Sequence, residues 1–243
     1  MFVSDYSKHL ASAENHSPDP LRIERQGSSR DTALFPAETL TWRIVAMGER
    51  IFAGVLLLLL SPALAIIAAV TVALSRRCPF VAHCRVGQSG KTVWVLKLRT
   101  MWDGTASSRP ALVEKLPLDV PQNLVPKIAK DPRVKSRFAA TCRRYSVDEL
   151  PQLWHVIRGE MALIGPRPLT WSEIHRYYGS AADEFLAQRP GISGLWQVRG
   201  RSRLTYRQRR RLDLFMIRQW SLRLYLRILF ATVPAVLVGR NAW

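Results

Sequence analysis

From Ile51 to Leu74 the chain reads Ile-Phe-Ala-Gly-Val-Leu-Leu-Leu-Leu-Leu-Ser-Pro-Ala-Leu-Ala-Ile-Ile-Ala-Ala-Val-Thr-Val-Ala-Leu, without one charged residue. A run of roughly 20 apolar residues is long enough to cross a bilayer as a straight helix. Ser61-Pro62 falls at its middle. Pro62 has no N–H to give the carbonyl of Leu58, and its ring crowds that turn, so a kink is expected, with the Ser61 hydroxyl placed to satisfy the freed carbonyl. Basic residues flank both sides, Arg43 and Arg50 before and Arg76 and Arg77 after. Basic flanks prefer the cytoplasm, which a straight span cannot offer to both ends and a helix that enters and returns can. The pattern by itself is compatible with a single span and with a re-entrant hairpin broken at Ser61-Pro62.

Beyond Arg77 the period changes. Pro79 to Arg99 reads as strands, with Val93, Val95 and Leu98 as apolar positions and Gly87 and Gly90 as punctuation. Trp102 to Ala129 is rich in Pro and Ser and predicts loop, and Asp131-Pro132-Arg133 a turn. Arg137 to Ile157 is helical in pattern with an interruption at Pro151. Met161 to Pro168 ends in a Gly-Pro-Arg-Pro loop, and Trp171 to Ala187 predicts an amphipathic helix. Arg189 to Gly194 predicts a turn and Leu195 to Val198 a short extended piece. From Tyr206 to Val238 apolar and basic residues mix: Leu212, Phe215, Trp220, Leu222, Leu226 and Leu229 stand among Arg211, Arg218, Arg223 and Arg227. Such a helix suits the headgroup region of a membrane, and equally the core edge of a soluble domain. The fold class expected is mostly α with a few short β-strands, an α+β arrangement.

Composition narrows the partners. The chain has 243 residues and a formal net charge of +18, which favours anionic partners: nucleic acid, an anionic membrane surface or a nucleotide substrate. Charge alone does not separate these three; no nucleic-acid recognition motif accompanies it, so nucleic acid is not the expected partner, and a basic membrane-anchored nucleic-acid binder is the rival reading. Cys78, Cys84 and Cys142 are an odd, sparse set that predicts no disulfide framework. Cys78, His83 and Cys84 fit no common zinc spacing. Residues 1–40 carry no apolar secretory core and read as a mobile cytoplasmic tail.

The candidate chemistry lies between Arg143 and Pro168. Asp148 and Glu149 are neighbours there, with Arg143, Arg144, Arg158 and Arg167 around them. Arginines hold phosphate oxygens, while carboxylates hold a metal or attack phosphorus. A second reading uses the same residues: Ser146-Val147-Asp148-Glu149 matches a helix capping box. Pro151 complicates a helix beginning at Ser146, because proline prefers the first helical position. On either reading a helix terminus lies close, which favours ionised carboxylates and bound phosphate. Neighbouring residues of a helix point about 100° apart, so the two acids would do different work, one attacking phosphorus and one holding Mg²⁺.

Several further stretches appear in order: Lys97-Leu98-Arg99-Thr100-Met101, Asp131-Pro132-Arg133, Arg143-Arg144-Tyr145-Ser146-Val147-Asp148-Glu149-Leu150-Pro151-Gln152-Leu153-Trp154, Gly165-Pro166-Arg167-Pro168, Pro190-Gly191-Ile192-Ser193-Gly194-Leu195-Trp196-Gln197-Val198 and Trp220-Ser221-Leu222. In this set the chain resembles the bacterial sugar transferases, the monotopic phosphoglycosyl transferases, from about Arg43 to the C-terminus. The resemblance implies a tail at 1–40, a re-entrant membrane hairpin at 41–77 broken at Ser61-Pro62, and a catalytic domain at 78–243. That domain would sit on the cytoplasmic face of a bacterial inner membrane, against anionic lipids. It implies transfer of a hexose-1-phosphate from a UDP-sugar, UDP-galactose or UDP-glucose, to undecaprenyl phosphate with release of UMP, the first membrane step of exopolysaccharide synthesis. Asp148 falls on the family's nucleophile and Glu149 on its Mg²⁺-binding acid. Lys97, Arg99, Arg133, Arg143 and Arg167 become phosphate contacts, and Asp213 a later acid that assists the metal or the substrate. The chain resembles the form without the extra N-terminal spans of larger members. Two positions depart from the pattern: His155 stands where Asn is usual, and Tyr225 where an Asp often follows Trp-Ser-Leu.

Overall fold

A computed structural model describes residues 40–101, 113–116, 134 and 136–239, with the side chains of 113–116 and 202 left aside. The tail expected at 1–40, apart from Leu40, and the Asp131-Pro132-Arg133 turn with its Arg133 lie outside the described residues.

The uncharged run belongs to one helix, α1, Leu40–Ser75, which continues through Pro62. The expected break is therefore confined to a single backbone bond. The Ser61 hydroxyl donates to the Leu58 carbonyl at 2.8 Å, which is the carbonyl that Pro62 leaves without its N–H. One stripe of α1 is buried, at Glu49, Ala53, Leu64, Thr71 and Ser75. The opposite side stays exposed, with Leu58 at 74% and Leu59 at 71%. Of the described helices, α1 alone is long and apolar enough to cross a membrane.

Strands β1 (Phe80–Val86) and β2 (Thr92–Leu98) lie in the stretch that the sequence predicts as strands and pair as an antiparallel hairpin joined through Gly87–Lys91. Strand β3 (Val113–Leu116), inside the stretch expected as loop, pairs parallel with β1 and completes a three-stranded sheet in the order β2-β1-β3. Helix α2 (Arg137–Arg144) and α3 (Leu153–Ile157) flank a 3₁₀ segment, Val147–Gln152. The chain turns not at Pro151 but at Ser146, which adopts left-handed φ 55° and ψ 24°.

Two more expectations are corrected by a second sheet. Strand β4 (Ala162–Ile164) pairs parallel with β5 (Gly191–Ser193), where loop and turn were expected. The reason is a backbone approach that only glycine permits: a Cβ on Gly165 would lie 2.5 Å from the Arg189 carbonyl oxygen. Leu195 to Val198, expected as extended, starts helix α6 (Leu195–Arg199). The amphipathic stretch from Trp171 becomes α4 (Trp171–Tyr177) and α5 (Ala182–Leu186), separated at Gly179 with φ +49°. The last segment divides into α7 (Tyr206–Arg218) and α8 (Leu222–Val238).

Three apolar clusters hold these elements. Ala53 of α1 packs with Val93 and Val95 of β2 and with Leu153, Val156 and Met161. Ile164, Leu195, Met216, Tyr225 and Ile228 bring β4, α6, α7 and α8 together, with Trp42 and Val45 of α1 against them. Val86, Ile174, Tyr178, Phe185, Leu214 and Ile217 form the third. On α8, Leu226, Phe230, Val233 and Leu237 remain exposed at helical spacing, an apolar stripe with no protein over it among the described residues.

Candidate functional site

Asp148 and Glu149 enter the fold in the 3₁₀ segment, and the left-handed Ser146 decides how. No cap bond forms from the Ser146 side chain. The capping-box reading therefore fails here, although the same pattern makes true boxes at Thr170 with Glu173 and at Thr205 with Gln208. Both of those caps have an extended backbone, as a side-chain cap requires. Freed from capping, Glu149 turns to other donors.

Those donors arrive from two directions. Lys97 lies on the face of β2 that also carries Val93 and Val95, since alternate residues of a strand share a face. Its Nζ meets Glu149 Oε1 at 3.0 Å. Arg167 follows β4, and its Nη2 meets the same oxygen at 2.7 Å. Burial opposes the Glu149 charge, but Arg167 and Lys97 outweigh it and hold the carboxyl far below its ordinary range. Among the described residues no donor reaches Glu149 Oε2.

Asp148 is in the opposite situation. It is 9% exposed and accepts no hydrogen bond from any described residue. Burial and the adjacent Glu149 push its carboxyl up to about 6, with Lys97, Arg143 and Arg167 pulling it down. One acid is thus pinned and strongly ionised. The other is loosely held, surrounded by cations and close to its titration point.

The structure brings Lys97, Arg143, Asp148, Glu149 and Arg167 together, as the sequence expects. Arg99 is buried just after β2, with Nε donating to the Cys78 carbonyl at 2.7 Å. Asp213 is 2% exposed and sits in the third cluster. Tyr178 donates to its Oδ2 at 2.7 Å. Burial pushes Asp213 up to about 7, and the opposing influences are Tyr178 and Arg209. Among the described residues no three His, Cys, Asp or Glu side chains converge as a metal cluster, so Asp213 does not join the pair. The basic run from Arg207 divides: Arg207 and Arg211 are exposed, while Arg209 lies over the Trp196 ring at 4.6 Å and the Tyr206 ring at 5.1 Å.

Arg201 is a site residue that sequence reasoning missed. It adopts φ 48°, its buried Nη1 has no hydrogen-bond partner, and its charge is felt by Glu149 and Arg167. Nothing in its local sequence separates it from Arg199 or Arg203.

The two departures find structural roles. His155 Nε2 accepts from the Leu96 N–H at 3.1 Å, while Nδ1 meets Glu160 Oε2 at 2.6 Å. The ring thereby ties β2, one residue from Lys97, to the turn after α3. Tyr225 donates its hydroxyl to Glu49 at 2.9 Å.

Comparison with known proteins identifies the family. The family model described as bacterial sugar transferase matches residues 41–239. Over 222 residues the chain is 36% identical to the exopolysaccharide production protein ExoY of Rhizobium meliloti (strain 1021), covering 89% of this chain and 97% of that protein. It is 35% identical over 202 residues to the UDP-glucose:undecaprenyl-phosphate glucose-1-phosphate transferase of Caulobacter vibrioides, covering 79% and 70%. The undecaprenyl-phosphate galactose phosphotransferase of Salmonella typhimurium is 37% identical over 167 residues, 66% of this chain and 34% of that longer protein.

Proposed function

The chain belongs to the bacterial sugar transferase family, an enzyme family, and on that footing we propose that it transfers a hexose-1-phosphate from a UDP-sugar to undecaprenyl phosphate, releasing UMP, at the start of exopolysaccharide assembly. The observation that carries the reading is the division of labour between the two acids. Glu149 is fixed by Lys97 and Arg167, whereas Asp148, beside it, accepts no hydrogen bond from a described residue. The relatives named above, a glucose-1-phosphate transferase and a galactose phosphotransferase on undecaprenyl phosphate, support the same substrate classes.

In the proposed reaction an Asp148 oxygen attacks the sugar-bearing phosphorus of the UDP-sugar. A P–O bond forms, the P–O bond to the UMP phosphate breaks, and UMP leaves. A phosphate oxygen of undecaprenyl phosphate then attacks the same phosphorus, and the Asp148–phosphorus bond breaks to restore the carboxylate. Splitting the transfer this way predicts ping-pong kinetics. With its carboxyl at about 6, Asp148 is mostly ionised at neutral pH, so the rate should fall as pH drops below that value. Arg143, Arg167 and the unpartnered Arg201 Nη1 supply donors for the diphosphate.

The donor set also fits Mg²⁺. Asp148 and Glu149 Oε2 are hard oxygen atoms without hydrogen-bond donors among the described residues, and Mg²⁺ is typically held by one or two carboxylates plus substrate phosphates. When bound there it would neutralise diphosphate charge. Asp213, tied to Tyr178, is not part of that set.

We place the enzyme on the cytoplasmic face of the inner membrane, with α1 as a re-entrant hairpin. The uncharged run from Ile51 to Leu74 would be about 36 Å long as a straight helix, close to the ~30 Å hydrocarbon core, so the flanks and not the length favour the hairpin. Basic flanks on both sides and the proline at the centre of the run support a bend there, within a helix that continues through Pro62.

The test is UMP release and trapping of a labelled phosphosugar on the protein, with UDP-glucose and UDP-galactose as donors. Asp148→Asn should abolish both. Turnover near wild type in that variant would rule out Asp148 as the nucleophile.

A further inference from the structure

A cleft of about 340 Å³ lies at the base of α1, and none of Lys97, Asp148, Glu149 or Arg167 lines it. Its walls carry Arg43, Arg50 and Arg189 together with Trp42, Trp220 and Tyr225. We propose that this cleft binds the phosphodiester headgroup of an anionic glycerophospholipid.

Charge is the first argument. Glu49, also in the wall, is already satisfied: the Leu163 N–H donates to it at 2.8 Å, the Tyr225 hydroxyl at 2.9 Å, and Arg189 stands 3.6 Å away. That leaves Arg43 and Arg50, which pair with no carboxylate among the described residues. The Arg50 guanidinium lies against Gly159, whose φ is +73° and whose missing Cβ makes room for it. The cleft therefore presents two uncompensated guanidiniums, and guanidiniums match phosphate oxygens.

Depth is the second argument. Arg43, Glu49 and Arg50 are the last charges of α1 before the uncharged run begins at Ile51. Ile51 and Phe52, one step on, are 62% and 53% exposed. The wall also includes Trp220, just before α8, and Tyr225 in the first turn of α8, the helix whose apolar stripe is also exposed. Trp42 and Trp220 lie 5.5 Å apart at a tilt of 36°, with Tyr225 edge-on to both, and Trp and Tyr concentrate at the headgroup level of membranes. The cleft thus has its cations at the depth where lipid phosphates lie.

The phosphomonoester of the acceptor lipid shares this chemistry but must reach Asp148. The cleft takes Ala162 and Ile164 from β4 as wall residues, while the site residue Arg167 comes only after the strand has ended. An anion seated in the cleft has no reacting group beside it. The occupant is therefore a lipid that fixes the seat of α1, not one that reacts.

The experiment titrates the detergent-purified full chain with dihexanoylphosphatidylglycerol, with dihexanoylphosphatidylcholine as the zwitterionic arm and farnesyl phosphate as the phosphomonoester arm. Binding is read by calorimetry and by the thermal midpoint. The expected result is saturable binding of the glycerol lipid, about tenfold tighter than the choline lipid. The Arg43→Gln/Arg50→Gln double variant changes two exposed side chains, so its fold should persist. It should bind the glycerol lipid about tenfold more weakly, with UMP release in detergent unchanged, and Arg43→Lys/Arg50→Lys should recover part of the loss. Equal affinity for the two diester lipids, unchanged affinity in the double Gln variant, or competitive displacement by farnesyl phosphate would each overturn the proposal.

Discussion

Asp148→Asn should stabilise the protein while it destroys the reaction. Burial and the charge of Glu149 move the Asp148 carboxyl from 3.8 to about 6. In the unfolded chain both influences vanish. At ~1.4 kcal/mol for each tenfold change in the ionisation equilibrium, ionised Asp148 costs the folded state about 3 kcal/mol. The sign follows from proton linkage. The folded state holds the proton more tightly than the unfolded one, so stability is full below pH 3.8 and is lost as pH rises through about 6. The penalty is complete at pH 7.5 and about half as large at pH 5. Asparagine removes the charge but leaves a buried amide to desolvate, so the gain should be about 1–3 kcal/mol at pH 7.5. For a domain of this size that is a rise of about 3–9 °C in the thermal midpoint. Paired melts of wild type and variant at pH 7.5 and pH 5, with UMP release measured alongside, test it. A variant no more stable than wild type at pH 7.5, or an advantage unchanged at pH 5, would refute the reasoning from burial and repulsion.

Other substitutions probe the supports of the site. In Gly191→Ala the new Cβ would run into the backbone of Gly165. It should cost about 1–3 kcal/mol, and UMP release should fall further than stability because Arg167 stands two residues after Gly165. His155→Ala removes the acceptor of the Leu96 N–H. A loss of about 1–3 kcal/mol in denaturant melts is expected, with reduced kcat through Lys97, and His155→Asn should restore part of both by supplying an amide oxygen. Arg201→Ala should lower kcat/KM for the UDP-sugar about 10–100-fold with little change in melting, if its free donor meets phosphate. Tyr225→Phe takes one donor from buried Glu49 and should lower stability by about 1–3 kcal/mol while kcat is kept.

Much of the site was legible because its chemistry is carried by residue type. Asp148, Glu149, Lys97 and Arg167 declared themselves as acids and bases near phosphate-binding motifs, and the structure brings them together. What misled was backbone conformation. Ser146 to Glu149 has the letters of a capping box, and so do Thr170 to Glu173 and Thr205 to Gln208. Only the latter two are boxes, because Ser146 is left-handed and a side-chain cap needs an extended residue. Strands β4 and β5 were read as loop and turn because three-residue strands have no period to detect. Their pairing depends on Gly165 meeting Gly191, more than twenty positions apart in the chain.

The linear order of residues determined the uncharged run, its Ser61-Pro62 centre and the Ser61 hydroxyl that serves the Leu58 carbonyl, because each is a matter of composition or of neighbours within one turn. It also carried, in the ordered set of motifs, the membership of the sugar transferase family. Tertiary structure alone decided which acid is pinned and which is left loose, since Lys97 and Arg167 reach Glu149 from separate elements. It also moved Asp213 to Tyr178, brought Arg201 in, and gave Tyr225 to Glu49. Charge and hydrogen bonding act over a few ångströms in space, and those distances are set by the folding of remote segments onto one another.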